Sequence, residues 1–246
     1  MTLENITLSN VWIFMIMPVF IFGLARNYLA KLVKKLAKAL FAFTMYFFTI
    51  FYNYQMSTKK KELFASMKNH LKNVEGNVLE IGVGTGANFQ FYPRGTFITA
   101  LDPNPHMNYY LRHSKSYYPH IVLKDYIVGS AEDMRCIPDK SMSAVVSTLV
   151  LCSVESVEKV LKEIIRVLKP GGRFYFLEHV KGNGYTLILQ KFNQPWWFYL
   201  SDGCSLMREI EVSIRRAGFK HVHCQCFEAK RVGALIKPHI MGCADL

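Results

Sequence analysis

The feature that most constrains how this chain folds is the segment 78–86, where a short apolar run leads into a glycine-rich turn. Residues 78–81 predict a buried strand, and three glycines follow it at alternate positions, Gly82, Gly84 and Gly86. Glycines in such a turn allow bare backbone to approach a ligand, and they direct the amino terminus of the next helix toward it. The segment therefore predicts a nucleotide-binding turn, with a plain turn that holds no ligand as the alternative.

The spacing within the turn distinguishes two kinds of nucleotide site. Dinucleotide folds use the spacing G-x-G-x-x-G, whereas this chain has E-x-G-x-G-x-G, which places Gly86 one residue too early. An acid two residues before the first glycine suits S-adenosylmethionine (SAM), because Glu80 can bind its ammonium group while the glycine backbone passes under the methionine and ribose. SAM is therefore the predicted cofactor.

Strand and helix patterns alternate from residue 78 onward. Apolar runs predict strands, and apolar residues spaced i, i+3, i+4 predict helices. The predicted strands are 78–81, 97–101, 121–128, 144–149, 174–177, 219–227 and 236–244, and the predicted helices follow Gly86 and cover 106–116, 156–168 and 207–217. Serial strand–helix units indicate an α/β fold with a doubly wound, mostly parallel sheet, whose ligands lie at the carboxyl ends of the strands.

Polar residues follow three of these strands. Asp102 ends the second strand, where a carboxylate can accept hydrogen bonds from both ribose hydroxyls; capping of the next helix is its alternative role. The loop Ser130-Ala131-Glu132 follows the third strand and is predicted to bind the adenine edge, unless it is a plain turn. Thr148 ends the fourth strand, at the predicted methyl end of the cofactor.

The amino terminus is apolar and is followed by basic residues. No charged residue occurs from 5 to 25, and eight Lys or Arg oppose one acid in the first 61 residues. About 20 apolar residues of helix span a bilayer core, and the basic residues from Arg26 onward predict that the following chain stays in the cytosol. The net charge of +12 also admits nucleic acid as a partner. Because the charge is concentrated beside apolar segments, a membrane surface is favoured and no nucleic acid is expected.

A second uncharged run, 39–56, is rich in Phe and Tyr. Aromatic rings with polar edges suit a helix at the membrane interface. We therefore predict a membrane anchor with a basic flank at 1–38, an aromatic helical connector at 39–72 and a catalytic domain at 73–246. A core helix at 39–56 and a two-span hairpin are the alternatives.

The six cysteines include no C-x-x-C pair. Their spacing predicts reduced, packed thiols in a protein that faces the cytosol, with neither a disulfide framework nor a metal centre.

The ordered set of Glu80-x-Gly82-x-Gly84-x-Gly86, Asp102, 129–132, 148–153 and 168–172 resembles the class I SAM-dependent methyltransferases over roughly residues 75–180. Further segments resemble the membrane-anchored alkyl thiol S-methyltransferases, which are methyltransferase-like proteins of the endoplasmic reticulum and lipid droplets. These segments run along almost the whole chain and include Lys60-Lys61-Glu62-Leu63-Phe64, Asp102-Pro103-Asn104-Pro105, Glu178-His179-Val180, Asp202-Gly203-Cys204 and Pro238-His239-Ile240. The chain departs from the family pattern at Ser143, where an acid usually opens the fourth strand.

The resemblance implies a Rossmann-like fold and methyl transfer from SAM to small lipophilic thiols, including hydrogen sulfide. It places this activity at the cytosolic face of the endoplasmic reticulum membrane and of lipid droplets. Positioning alone can accelerate such an in-line displacement, and an alkyl thiol with a pKa of about 8.5 gains modestly from a base. His179 is the first candidate base and Asp202 the second, with a structural histidine and a helix cap as the respective alternatives.

The segment 183–202 contains four consecutive aromatic residues, 196–199. We expect some of them to line an apolar acceptor site or to touch the membrane, with ordinary packing as the alternative. Two other functions stay open at this point. One is methylation of a lipid-soluble ring such as a quinone precursor, and the other is a non-catalytic interaction protein of lipid droplets or membranes.

Overall fold

A computed structural model of the protein describes residues 8–72 and 76–246, with side chains from residue 25 onward. The chain divides into two compact units, Met1–Leu40 and Phe41–Leu246. The apolar run predicted at 5–25 lies almost wholly outside the described side chains. From Ala25 to Leu71 the chain is a helix that is long and apolar enough to cross a membrane, by length and composition alone.

The second unit contains one seven-stranded sheet with the strand order β3-β2-β1-β4-β5-β7-β6. Strands β1 to β5 are parallel, and β7 runs antiparallel to both β5 and β6. The prediction of a doubly wound, mostly parallel α/β fold is therefore confirmed. The strands are β1 (Asn77–Ile81), β2 (Phe97–Asp102), β3 (Val122–Val128), β4 (Met142–Thr148), β5 (Leu168–His179), β6 (His221–Glu228) and β7 (Pro238–Asp245). The helices are α1 (Leu8–Leu71), α2 (Met107–Ser116), α3 (Val157–Val167), α4 (Gly184–Leu200) and α5 (Ile210–Arg216).

Both faces of the sheet bury apolar side chains, which is why its central strands are continuously apolar. One face packs against α3 and α5, and the other packs against α2 and the carboxyl-terminal part of α1. Adjacent strands β1 and β4 lie where the strand order reverses, and ligands of open α/β sheets bind at this point, beside the carboxyl ends of the strands.

Helix α3 illustrates how the sequence determines a local element. Its apolar residues recur on one face and are buried: Val157, Val160, Leu161, Ile164 and Val167. The side chain of Ser156 accepts a hydrogen bond from the Lys159 N–H and so caps the helix, while Glu158 and Arg166 complement its dipole. The predicted helix 156–168 therefore forms with nearly the expected bounds.

Within the second unit, α1 packs one side against the sheet. The buried residues recur three or four positions apart: Tyr52, Met56, Lys60, Leu63, Phe64 and Met67. The opposite side exposes a stripe of apolar residues, Phe43, Phe47, Ile50, Phe51 and Tyr54. Part of the predicted connector 39–72 thus contributes to the core, mainly from Tyr52 onward, while its other side presents aromatic residues outward.

Three predicted elements differ from the structure. Residues 83–91 form successive turns closed by i to i+3 hydrogen bonds, not a helix, because Gly84 and Gly86 have positive φ and cannot continue one. The last predicted helix begins at Ile210, not at 207. Strand β5 begins at Leu168, not at 174, and its register with β4 shifts within the added residues.

Candidate active site

The glycine turn after β1 leaves open space at one position. Gly82, Gly84 and Gly86 all have positive φ, between +53° and +78°. A Cβ on Gly82 would meet the Val150 side chain at 2.4 Å, and one on Gly86 would meet the Phe89 ring at 2.7 Å. A Cβ on Gly84 would have the Gly82 carbonyl oxygen as its nearest neighbour, at 3.9 Å. The middle glycine therefore provides the space that a ligand needs for close approach to the backbone.

Asp102 connects the end of β2 to this turn. Its Oδ2 accepts a hydrogen bond from the Gly84 N–H at 2.8 Å, and its Oδ1 accepts one from the Asn104 N–H at 2.8 Å. A carboxylate has about four acceptor sites, so Asp102 can hold the turn and bind a ribose diol at the same time. The fit with the predicted role in SAM binding is good.

Glu80 is 2% exposed and has two neutral donors. Its Oε1 accepts from the Asn88 side-chain amide and its Oε2 from the Tyr92 hydroxyl, both at 2.8 Å. Burial raises the pKa of Glu80 to about 7, against the effect of these hydrogen bonds. A carboxylate so placed can also bind a cationic ammonium group, whose charge would offset the cost of burial.

Lys60, on α1, is fully buried beside this network. Its ammonium donates to Asn53 Oδ1 and to Asn88 Oδ1, each at 2.7 Å, and the Asn53 amide donates to the Ala87 carbonyl at 2.6 Å. Burial lowers the pKa of Lys60 to about 7, and the nearby Glu80 carboxylate opposes that shift. Asn88 thus lies between the two ionisable groups and joins α1 to the glycine turn.

Thr148, at the end of β4, belongs to the same assembly. Its hydroxyl accepts a second hydrogen bond from the Asn88 amide at 3.0 Å. Next to it, the carboxylate of Glu178 accepts from the Ser147 hydroxyl at 2.5 Å and from the Val150 N–H at 3.0 Å. Glu178 thereby fixes the loop after β4, in which Leu149 has a positive φ of 57°.

The predicted adenine loop lies after β3, beside Asp102. The Gly129 N–H donates to the Asp102 carbonyl at 3.1 Å. The Ser130 hydroxyl donates to Glu132 Oε2 at 2.9 Å, and Glu132 Oε1 accepts from the Ser156 N–H at 2.7 Å. Ala131 is buried between them. Glu132 therefore ties this loop to the start of α3.

The two candidate bases occupy different surroundings. His179 ends β5 and is buried, with its Nε2 3.0 Å from the Cys204 sulfur. Glu178 binds the β4 loop instead of the neighbouring histidine, so the structure contains no direct Glu–His pair at this position. Asp202 is exposed in the turn between α4 and α5, with φ at +49°, and the N-cap of α5 is Glu209. The capping role considered for Asp202 is therefore not observed.

A buried cluster surrounds His179. The ligand-type atoms of Cys152, His179 and Cys204 lie within 4.8 Å of one another. The Trp197 indole N–H donates to the Cys204 sulfur at 3.2 Å. On the other side, His239 accepts or donates a 3.0 Å hydrogen bond with the Tyr52 hydroxyl, and the rings of His239 and His179 are 6.5 Å apart.

Several of these residues were not assigned to the site from the sequence alone. Lys60 had a recognisable signal, since it occupies an apolar stripe of α1 at helical spacing. Asn88 and Tyr92 had none, because they lie in a segment predicted as an ordinary helix. Cys152 and Cys204 are far apart in the chain, and only the folding of β4, β5 and the α4–α5 turn brings their sulfurs together.

Comparison with known proteins agrees with this geometry. A family described as a methyltransferase domain matches residues 79–176. Human thiol S-methyltransferase TMT1A is 40% identical over 212 residues, which cover 85% of this chain and 87% of the relative. Human thiol S-methyltransferase TMT1B is 42% identical over 211 residues, with 84% and 86% covered. Among solved structures, a SAM-dependent methyltransferase from Thermotoga maritima superimposes with a TM-score of 0.51 at 19% identity, covering 82% of this chain and 98% of its own.

Proposed function

The chain belongs to the family of thiol S-methyltransferases, and from that premise we propose that it methylates small lipophilic thiols, hydrogen sulfide among them, at the cytosolic face of a membrane. SAM is the methyl donor. The observation that carries the proposal is the open position at Gly84, joined to Asp102, in a chain related along most of its length to enzymes named for this reaction. When bound, SAM would supply an electrophilic methyl group, which the acceptor sulfur would attack as the sulfur of the cofactor departs.

We assign the residues around the turn to SAM binding. Glu80 binds the ammonium group, the glycine backbone lies against the methionine and ribose, and Asp102 binds the ribose hydroxyls. The loop of Ser130, Ala131 and Glu132 contacts the adenine, and Thr148 lies at the methyl end. Two supports are the hydrogen bond between Asp102 and Gly84 and the position of all these residues at the carboxyl ends of parallel strands.

We assign His179 as the group that receives the proton of the acceptor thiol. It is a buried imidazole at the carboxyl end of β5, beside the β4 loop that follows Thr148. Asp202 is a weaker candidate, because its carboxylate is exposed, where water screens its effect on an acceptor.

Membrane attachment is the second part of the proposal. Residues 1–38 serve as the anchor, and the endoplasmic reticulum membrane and lipid droplets are the proposed surfaces. The exposed stripe of α1, defined above, supports contact with lipid, as does a matching stripe on α4. There the exposed residues recur at helical spacing, Tyr185, Ile188, Phe192, Trp196 and Tyr199. Of the four consecutive aromatics, Trp197 is the one that packs on the core.

The activity is tested with labelled SAM and purified full-length protein. Alkyl thiols, aryl thiols and hydrogen sulfide are offered separately, and Asp102→Ala is the control that should lose transfer. Methylated thiol from the wild type supports the proposal. If no thiol is methylated but a quinone-type ring in a membrane extract is, the ring-methylating alternative is selected. If calorimetry detects no SAM binding, a non-catalytic role is selected.

Membrane attachment is tested by fractionation of cells that express residues 39–246 or the full chain. Loss of residues 1–38 should move the protein to the soluble fraction while its activity on water-soluble thiols persists. Continued pelleting of the shortened protein would refute the anchor. Co-localisation with markers of the endoplasmic reticulum and lipid droplets then tests the particular surface.

A further inference from the structure

The sulfur of Cys204 is the centre of an unusual set of hydrogen bonds. The ring of His179 approaches it at 3.0 Å through Nε2, and the indole N–H of Trp197 donates to it at 3.2 Å. The Cys152 sulfur is the third neighbour, within 4.8 Å. Hydrogen bonds therefore join this sulfur to the end of β5 and to α4, and the Cys152 sulfur of the loop after β4 lies beside it.

A sulfur that only accepts hydrogen bonds is stabilised as a thiolate. The hydrogen bond from Cys152, together with those from His179 and Trp197, holds the pKa of Cys204 well below its usual range. The pKa of Cys152 is raised, first by its hydrogen bond with Cys204 and then by burial, so Cys152 keeps its proton and acts as a donor. The arrangement therefore favours the thiolate form at Cys204 over that at Cys152.

The two ring nitrogens of His179 have different surroundings. Nε2 faces Cys204, and within the described part of the chain Nδ1 is buried without a hydrogen-bond partner. A neutral imidazole that donates through one nitrogen presents a lone pair on the other. Since burying such a group without a partner costs free energy, an unmatched Nδ1 indicates a place where a ligand completes the site.

We infer that Cys204, as a thiolate, positions His179 so that Nδ1 accepts the proton of the acceptor thiol, an assignment that rests on the proposed thiol S-methyltransferase function. Cys204 is a positioning residue in this arrangement, and His179 is the catalytic base. The role of the thiolate corresponds to that of the aspartate in a Ser-His-Asp triad, which fixes the tautomer of the histidine and stabilises its protonated form.

The proton and electrons balance without a further reactant. The S–H bond of the acceptor breaks, and its proton moves to Nδ1 of His179. The acceptor sulfur uses its electron pair to form the new bond to carbon, and the departing bond's pair stays on the sulfur of the cofactor, which leaves as S-adenosylhomocysteine. The imidazolium, paired with the Cys204 thiolate, returns its proton to water when the product leaves.

The other titratable groups near His179 are occupied elsewhere. Glu178 binds Ser147 and Val150, and the pKa of His239 is lowered to about 4 by burial, so that ring stays neutral. The Tyr52 hydroxyl is bonded to His239, and its pKa is raised by burial. Cys152 stays protonated beside Cys204. Burial raises the pKa of Glu178 to about 7, and the neighbouring His179 opposes that shift, so Cys204 is the acidic group hydrogen-bonded to the ring itself.

The test compares acceptors that differ in acidity. Full-length wild type, His179→Gln and Cys204→Ser are assayed at pH 7 with an alkyl thiol and with 4-nitrothiophenol, which is already a thiolate. Cys243→Ser is the matched control, because Cys243 is a buried cysteine of β7 outside the cluster. Thiolate absorbance and metal content are measured on the same preparations.

We expect His179→Gln to lower kcat/KM for the alkyl thiol by about a hundredfold or more, and to leave transfer to 4-nitrothiophenol near the wild-type rate. Cys204→Ser should lose the thiolate absorbance. It should also move the acidic limb of the pH profile of kcat/KM for the alkyl thiol to lower pH, because removal of the negative charge destabilises the protonated ring of His179. Cys243→Ser should behave as wild type. Circular dichroism verifies that each variant is folded before its kinetics are compared.

An equal fall in kcat/KM of His179→Gln on both acceptors would overturn the inference. An unchanged pH profile of kcat/KM in Cys204→Ser would also overturn it. Stoichiometric zinc bound to Cys152, His179 and Cys204 would overturn it as well, since the sulfur would then be a metal ligand. If the wild type methylated neither thiol, the proposed function itself would fail, and that result differs from all of these.

Discussion

The Asp102 carboxylate accepts a hydrogen bond from the Gly84 N–H at 2.8 Å, which joins the end of β2 to the turn after β1 beside the backbone bond from Val83 to Leu101. The two strands are adjacent and parallel, with Ile81 opposite Leu101. The bond therefore holds the open backbone of Gly84 beside the acid proposed to bind the ribose.

Gly84→Ala should weaken SAM binding without unfolding the protein. The added methyl group enters the open space of the turn, and a steric cost of about 1–3 kcal/mol corresponds to roughly a fivefold to 140-fold rise in Kd. The positive φ of 53° adds about 1–2 kcal/mol of strain to the folded state. Calorimetric titration with SAM measures the first effect, and urea unfolding measures the second.

Gly95→Ala is the matched control. Gly95 has a φ of +79° and lies in the turn before β2, at the amino edge of the sheet. Its substitution should cost similar stability and leave the affinity for SAM unchanged. Equal affinity in the two variants would show that the space at Gly84 is not where the cofactor lies.

Lys60→Met should destabilise the protein, although methionine fills a similar volume. The change leaves the side-chain oxygens of Asn53 and Asn88 without their buried donor and leaves Glu80 without its nearby cation. Removal of one member of a buried charge pair costs about 3–5 kcal/mol. SAM affinity should fall as well, because Asn88 also orients Glu80 and Thr148.

Lys61→Met removes the same charge one residue later, where the side chain is exposed. Its free energy of unfolding should change by less than about 0.5 kcal/mol. Urea denaturation of the two variants at pH 7 makes the comparison. Similar decreases in the free energy of unfolding of the two variants would mean that net charge, and not the buried network around Lys60, determines the effect.

The sequence predicted the features that depend on neighbouring residues. The strand 78–81, the glycine turn and Asp102 at the end of the second strand could be read directly, because strand patterns and turn glycines are local. The helix expected after Gly86 was wrong, since two positive-φ glycines and Pro93 leave only single turns between them. There the site overrides the local pattern of the sequence, which is typical of ligand-binding segments.

Contacts between distant segments could not be predicted. His179 and Cys204 are separated by 25 residues, and nothing in the spacing shows that the α4–α5 turn places the sulfur against the ring. The same holds for Glu178, whose carboxylate accepts the Val150 N–H in the loop after β4. Such pairings depend on strand order and on the direction of individual side chains.

The stability difference between wild type and Glu80→Gln should depend on pH. Burial raises the pKa of Glu80 to about 7 from its usual 4.5, so the folded state binds the proton more tightly than the unfolded state does. The stabilising contribution is therefore complete below pH 4.5 and is lost as the pH rises through 7. A shift of this size corresponds to about 3 kcal/mol. Glutamine keeps an acceptor for Asn88 and has no such dependence.

The wild type should thus lose stability relative to Glu80→Gln between pH 5 and pH 8. Lys60 opposes part of this loss, since its ammonium favours the Glu80 carboxylate and lowers the pKa of Glu80. Urea midpoints at both pH values measure the change, with the exposed Glu62→Gln as control. A constant difference across this range would show that Glu80 is not the buried, titrating group.

Gly82→Ala should act by collision, unlike Gly84→Ala. Its Cβ would lie 2.4 Å from Val150 Cγ2 and 3.0 Å from Cγ1, and Val150 is fixed because Glu178 binds its N–H. Overpacking of this kind costs about 1–3 kcal/mol, in addition to the strain of a positive φ. Val150→Ala removes both methyl groups, so the double variant should recover part of the loss. A double-mutant cycle in urea should give a coupling energy of about 1 kcal/mol or more. Strict additivity would mean that the β4 loop moves away from the turn, and that Glu178 does not hold it in place.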